Sequence, residues 1–404
     1  MKPVKAIILI AIFFASTTAR GQWTQLNLPD TLPLYSIYFV NDSTGFASSC
    51  DNNLSVWSSG GVYKTTDAGN SWDTLLSNQG YCRSSVFFVN ENIGYSSGTN
   101  LIKTIDGGTT WFLPNLSSGL SSNFVYFIND SIGFINGYWS APGPTIRKTT
   151  NGGISWSHSI SFNPVSNITS LCFTSPQVGF AVGNDSAVVL KTTDGGANWN
   201  PVSTQYQLES VHFPSANDGY AVGFNGTIIH TNDSGNNWSQ QVSGTTVNIH
   251  SIYCPSISTC YAVGDSGAIL KTTDGGNTWI AQNSGTVQKL RSVYCTSSHC
   301  FAVGDSGVIL KTVDGEVGFA ENSASEQSTL IVFPNPANNE LNIQINSIQT
   351  FHFTLYNSLG EKIIEQTLNN KSSTINLSAY SKGIYFYKMI SDKSIIKTGK
   401  IIKQ

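Results

Sequence analysis

Seven residues that can carry or accept charge return at nearly constant steps along the 404-residue chain: Asp67, Asp106, Asn151, Asp194, Asp233, Asp274 and Asp314. Six of them are carboxylates, which could serve as acid and base in glycoside hydrolysis if two faced one sugar. Each instead opens a turn like Lys271-Thr-Thr-Asp274-Gly-Gly-Asn-Thr-Trp279, and steps of 39 to 45 residues separate one from the next. That spacing sets the acids apart, one to a repeat. An Asp at the start of a tight turn accepts hydrogen bonds from the turn amides, so these seven read as structural. The tryptophans that follow them (Trp72, Trp111, Trp156, Trp199, Trp238 and Trp279) are expected in the core.

Few chemically capable groups remain once the turns are set aside. Between residues 22 and 315 the glutamates before the last turn are Glu91 and Glu209, and the arginines are Arg83, Arg147 and Arg291. Aligning the repeats on their first apolar segment brings Tyr35, Ser84, Asn123, Thr169, Glu209, His250 and Arg291 to one position. Glu209, His250, Arg291 and Tyr35 then fall on four consecutive repeats, an acid, an imidazole, a fixed cation and a phenol in one arc. Such an arc could hold a polar ligand, with a carboxylate on Arg291. Two insertions, Cys50 to Gly61 and Tyr138 to Thr145, carry Trp57, Tyr138 and Trp139. Aromatic side chains on loops stack on sugars or grip peptides, so these three join the arc as candidate ligand contacts. No catalytic set, metal cluster or cofactor motif emerges.

The elements that must position these residues are short strands. The sixth repeat shows the pattern: Ser251 to Cys254, Tyr261 to Gly264, Ala268 to Thr272, and a fourth strand from Trp279, with Asp265-Ser-Gly267 and Asp274-Gly-Gly as hairpin turns. A four-stranded meander returning about every forty residues is the signature of a propeller blade. The expected fold is therefore all-β, a seven-bladed β-propeller over residues 22–315. Strand order puts the second-to-third turns and the links between blades on one face, and the acidic turns on the other. The seventh copy stops short of its tryptophan, and Trp23-Thr-Gln-Leu26 at the other end matches the missing strand. Sealing the ring that way removes exposed sheet edges.

After a linker over residues 316–328 the pattern changes. Alternating segments at Leu341 to Ile345, Phe353 to Tyr356, Ile375 to Leu377 and Gly383 to Tyr387 predict a small Ig-like β-sandwich over residues 329–404. Lys388, Lys393, Lys397, Lys400 and Lys403 make its end basic, which suits either a solvated face or a docking signal. Residues 1–21 read as an export signal, with Lys2 and Lys5 before an apolar run and Ala19-Arg-Gly21 as the cleavage site. Seven cysteines in an exported chain are disulfide candidates first. Cys254 with Cys260 and Cys295 with Cys300 would each staple a hairpin, Cys50 with Cys82 would bridge adjacent blades, and Cys172 is the odd thiol. Only 11% of residues are charged and the net charge is -3, which leaves no basic surface for nucleic acid. A secreted monomer is expected.

The Lys-Thr-x-Asp-x-Gly-x-x-Trp turns resemble the Asp-box of bacterial neuraminidase repeats. With second strands such as Gly219-Tyr-Ala-Val-Gly223, the chain resembles the photosystem II assembly and stability factor type of propeller, which has seven blades. The carboxy-terminal segment is similar to the type A sorting domain of the type IX secretion system of Bacteroidetes. Phe333-Pro-Asn-Pro-Ala337, Leu359-Gly-Glu, Asn376-Leu377, Gly383-Ile-Tyr-Phe386 and Lys400-Ile-Ile-Lys403 carry that similarity. The resemblance implies passage across both membranes and display at the outer surface or release, with the secretion machinery as one partner. Sialidases use an arginine cluster and an Arg-Ile-Pro signature, both absent here, which argues against sialic acid hydrolysis. The expectation is a non-catalytic binding or scaffold propeller for a glycan or an envelope protein. The alternative is an extracellular polysaccharide hydrolase with Glu209 as its acid.

Overall fold

Six second strands, among them Gly45–Ser49, Gly179–Gly183, Gly219–Gly223 and Cys300–Gly304, bury every residue. Sequences such as Gly-Tyr-Ala-Val-Gly suit that place, because small and β-branched residues let neighbouring sheets cover both faces. The computed structural model describes residues 23–28, 31–51, 59–79, 82–114, 122–137, 145–157, 160–161, 167–184, 187–312, 330–333, 337–345, 351–357, 362–368, 372–391 and 394–403. Trp57, Tyr138, Trp139, Asp314, and the segments read above as an export signal (1–21) and a linker (316–328) lie outside the described residues. Two compact units emerge, Met1–Ala320 and Glu321–Gln404.

The first unit holds seven antiparallel sheets, one per repeat. Blade one comprises Leu34–Phe39, Gly45–Ser49, Ser59–Thr65 and Asp73–Gln79. Its third strand already includes Ser59 to Gly61, so the first insertion is shorter than its sequence suggested. In most blades the fourth strand starts one residue after the tryptophan, as at Ile280–Gln282, because the indole itself packs back onto the core. Blade seven is completed from the amino terminus: Trp23–Leu26 pairs with Ile309–Thr312, Trp23 opposite Thr312. At the inner edge Ile37 N donates to Ser292 Oγ at 3.4 Å, and the Tyr294 hydroxyl donates to Phe39 O at 2.9 Å, so blades seven and one also meet there.

That serine contact is repeated between blades. Val86 N donates to Ser36, Val211 N to Ser170, Ile252 N to Ser210 and Val293 N to Ser251, at 3.2 to 3.4 Å. A hydroxyl suits the place because it accepts an amide from the next inner strand while staying small enough for close packing.

The acidic turns form a second inter-blade contact. Asp67 accepts from Thr65 Oγ1 and Ser71 N at 2.8 Å and from Ser71 Oγ at 2.6 Å. The Ser71 bonds hold its carboxyl near 2, and bonds from Asn198 and Asn237 do the same for Asp194 and Asp233. A lysine from the preceding blade then reaches the next turn. Lys64 donates to Gly107 O, Lys103 to Gly152 O, Lys148 to Gly195 O and, across the seam, Lys311 to Ala68 O. Each ammonium also lies 5.3 to 5.9 Å from the centroid of a second-strand ring of its own blade, as Lys103 does over Tyr95 and Lys148 over Phe134. Carbonyl and ring quadrupole together satisfy the ammonium there.

Trp72, Trp199 and Trp279 are buried, each edge-on to an aromatic ring. Trp111, Trp156 and Trp238 are only part-buried, which corrects the expectation that all six are core. They pack against the outside of their clusters, with the indole nitrogen itself buried.

The second unit consists of two sheets. Leu330–Phe333, Glu340–Ile345 and Ser372–Asn376 form one, and Phe351–Tyr356, Lys362–Leu368, Gly383–Ser391 and Ser394–Lys403 the other. Leu341, Ile343 and Ile375 from the first pack with Phe353, Leu355 and Met389 from the second in one core. Three strands are not marked by the sequence alternation: Leu330–Phe333 has no polar residue, Lys362–Leu368 pairs two apolar residues before three polar ones, and Ser394–Lys403 is interrupted by lysines. Lys403 itself is buried, not a solvated charge.

Candidate functional site

Six inner strands begin with a buried anchor: Leu34, Arg83 in place of an aliphatic, Ile168, Leu208, Ile249 and Leu290. In each of these six blades the pairing skips the following residue. Register shifts fall between Leu34 and Ser36, Arg83 and Ser85, Ile168 and Ser170, Leu208 and Ser210, Ile249 and Ser251, and Leu290 and Ser292. The skipped residues are Tyr35, Ser84, Thr169, Glu209, His250 and Arg291. A β-bulge releases its extra residue from the ladder and re-aims the side chain. In blade three the job is done differently: Asn136 Oδ1 accepts from Asn123 N and Phe124 N, both at 2.9 Å.

The released side chains lie half-buried, and Glu209, His250 and Arg291 meet second-to-third turns. His250 Nε2 stands 2.9 Å from Asp265 Oδ1, and Lys289 Nζ lies 3.1 Å from the same oxygen. Asn248 donates to the other carboxylate oxygen at 3.0 Å. Burial pushes the Asp265 carboxyl up, yet the bonds from His250 and Lys289 outweigh it and leave the group below its usual range. Arg291 Nε donates to Asp305 Oδ1 at 2.6 Å, and its guanidinium carbon sits 4.3 Å from the Tyr35 ring centroid, a cation–π contact across the seam of the ring. Glu209 accepts from Asn184 Nδ2 at 3.2 Å. The arc over blades five, six, seven and one is thus an organised polar strip.

The turns are shaped for that contact. Asp265–Gly267 is a single tight turn with Ser266 at φ 57° and Gly267 at φ 70°. A Cβ on Gly267 would fall 2.0 Å from Thr286 O, so only glycine lets the turn lie against the link to the next blade. Asp265 N donates to Asn248 O and Asp305 N to Lys289 O, both at 2.9 Å, which docks each acid over its bulge. The turn residues Asn184, Asp265 and Asp305 belong to the site, although in sequence Asp265 reads only as part of a hairpin turn. Their signal was the shared place after the closing glycine of the second strand, at Gly183, Gly264 and Gly304. On the same face a hollow of about 650 Å³ opens between Asn225, Gln240, Val242 and Thr245.

Three residues beyond each bulge position stand Tyr38, Phe87, Tyr126, Cys172, His212, Tyr253 and Tyr294. Neighbouring rings among the six aromatic side chains lie 4.4 to 5.5 Å apart, from His212–Tyr253 to Phe87–Tyr126, and with Cys172 in the remaining place they form an annulus between the two faces. Burial raises the Tyr38 phenol to about 12 and the Cys172 thiol to about 11. It lowers the His212 imidazole to about 4. Cys254 N donates to His212 Nδ1 at 3.3 Å, which needs that nitrogen unprotonated. The disulfides are Cys50–Cys82, Cys254–Cys260 and Cys295–Cys300, and Cys172 is free and buried. Among the described residues no group of three or more His, Cys, Asp or Glu side chains is placed to hold a metal ion.

Residues 158–296 match the family described as photosynthesis system II assembly factor YCF48, and residues 331–404 match the secretion system C-terminal sorting domain. The chain joins a Ycf48-like propeller to a sorting domain. The photosystem II assembly lipoprotein Ycf48 of Synechococcus sp. (strain CC9902) is 34% identical over 80 residues, which cover 18% of this chain and 23% of that protein. The alignment therefore spans about a quarter of that relative. Among solved structures, YCF48 from Cyanidioschyzon merolae aligns with a TM-score of 0.59 at 20% identity, over 72% of this chain and 98% of that one. YCF48 bound to D1 peptide aligns with a TM-score of 0.59 at 19% identity, over 72% and 96%. The sorting domain marks the Ycf48-like propeller for export to the cell surface or the extracellular space. No helix among the described residues is long and apolar enough to cross a membrane.

Proposed function

We propose that the propeller is a non-catalytic binding module of the cell surface that captures a segment of a partner protein on the bulge face. The single observation that carries this reading is the row of bulges, which lifts one side chain out of the ladder in six of the seven blades. Repeating that distortion has little use for packing, whereas it presents a different group at each step of a ring. Arg291, fixed by Asp305 beneath it and Tyr35 beside it, is the place for a carboxylate, and Glu209 is the place for an amide or hydroxyl. The YCF48 structure carrying a D1 peptide supports a peptide as the ligand class over a glycan.

Polysaccharide hydrolysis draws less support. Asp265 and Asp305 are held by cations, so neither is poised as an acid beside Glu209. The test is a pull-down from envelope extract with the secreted protein and its Arg291→Ala and Glu209→Gln variants, followed by peptide mapping of what is retained. A partner retained by the wild type and lost from Arg291→Ala supports the reading. Release of sugar from polysaccharide that depends on Glu209 overturns it.

A further inference from the structure

The opposite face of the ring holds a second hollow, and its chemistry differs from that of the arc. A cavity of about 570 Å³ opens between blades six, seven and one, with Phe39, Tyr253, Pro255 and Tyr294 among its walls and Asp42 at its rim. Two of those walls, Tyr253 and Tyr294, belong to the annulus, with ring centroids 4.7 Å apart. The loops that frame the cavity are closed by Cys254–Cys260 and Cys295–Cys300. Covalent closure at the base of both loops keeps the hollow in shape before anything enters it, which lowers the ordering cost of binding.

Charge selects the occupant. Ser297 N donates to Asp42 Oδ1 at 2.9 Å, and Ser297 Oγ donates to Oδ2. Burial pushes the Asp42 carboxyl up, but these hydroxyl and amide bonds outweigh it and keep the group ionised. Asn41 Nδ2 donates to Glu91 Oε1 at 2.7 Å and draws a second carboxylate toward the rim. Among the described residues Asp42 makes no ion pair. The cations and phenols near it do not neutralise it: burial lowers the His299 imidazole, Lys311 is committed to Ala68 O and Asn70, and burial keeps the Tyr253 and Tyr294 phenols protonated.

We propose that this cavity is a binding site for a lysine or arginine side chain of a partner polypeptide. A long apolar stem ending in a positive charge matches walls of aromatic rings and proline that end in a carboxylate. The cation would sit between Asp42 and the faces of Tyr253 and Tyr294, where ion pairing and cation–π attraction add. The site stands on the face away from the arc and is independent of the reading given above.

The probe is acetyl-Gly-Ser-Lys-Ser-Gly-amide, with arginine and norleucine counterparts, titrated into the full-length protein at low salt by calorimetry. Lysine and arginine peptides should bind and the norleucine peptide should not. Asp42→Asn should weaken the lysine peptide about tenfold, the loss expected for one charge-assisted contact. Pro255→Trp fills the hollow without touching the charge and should block binding while the melting temperature confirms folding. A diazirine-bearing lysine peptide should crosslink to residues 253–256 or 294–297. Equal binding of the norleucine peptide, or crosslinks confined to the bulge face, would overturn the proposal.

Discussion

On one face of the ring the same contacts come back blade after blade, whereas on the other each blade brings a different side chain. Four acidic turns take a lysine from the blade before on a backbone carbonyl, and in the described turns the threonine hydroxyl bonds the turn acid, or Asn151 in its place, alike, as at Asp67, Asp106 and Asp274. The bulge positions share a backbone distortion and nothing else: a phenol at Tyr35, a carboxylate at Glu209, an imidazole at His250 and a guanidinium at Arg291. Contacts that repeat with the blades are the ones a closed ring needs. Groups that vary over a constant backbone are free for recognition, because the ladder no longer depends on them.

Breaking the repeated side should cost the most. Trp72→Ala removes a buried indole packed edge-on to Phe39 and should lower the unfolding free energy by about 3 to 5 kcal/mol in a urea titration. The Cys50→Ser/Cys82→Ser pair opens a bridge of sequence separation 32 between blades one and two on the variable side. Chain entropy predicts a loss of about 3 to 4 kcal/mol for that loop, against about 2 kcal/mol for Cys254–Cys260, both readable as midpoint shifts.

Acid should act through the annulus that separates the faces. The folded His212 imidazole stays neutral down to about 4, while the unfolded one takes a proton near its ordinary value. Between those values the unfolded chain binds more protons, so stability falls as pH drops from about 6.5 to 4, by up to about 3 kcal/mol. Unfolding midpoints measured across that window should lose most of this slope in His212→Gln. The acidic turns act only lower, since the carboxyls of Asp67, Asp194 and Asp233 titrate near 2.

The smallest expected effect on folding sharpens the contrast. Arg291→Ala removes a part-exposed ion pair with Asp305 and should change stability by less than about 1 kcal/mol. A loss of several kcal/mol in that variant would mean that the arc also holds the ring together, and the division between the two faces would fail.

Much of this architecture was legible in the residues. The forty-residue period, the turn acids and the orphan strand at Trp23 led to seven sheets and their closure, because each rests on local turn chemistry and on matching the pieces of one repeat. The cysteine pairs followed from the same alignment. What the alignment could not show was how the bulge positions are partnered. Asp265 reads as a turn former until the backbone folds it over His250, and Ser251 reads as an ordinary strand residue until it accepts an amide from the next blade. The strand Ser394–Lys403 was hidden because Lys397, Lys400 and Lys403 interrupt the apolar alternation that marks a strand.

Taken alone, the chain's order of residues determined the number of sheets, the hand-over of a strand from one end to the other, and the acids that shape the turns. These depend on neighbours a few residues apart and on a repeat that any copy reveals. Only the folded ring decided which groups meet: Arg291 with Tyr35 lies 256 positions away along the chain, and Asp42 with Ser297 lies 255. Such partners are set by blade order around a closed circle, which no local pattern encodes.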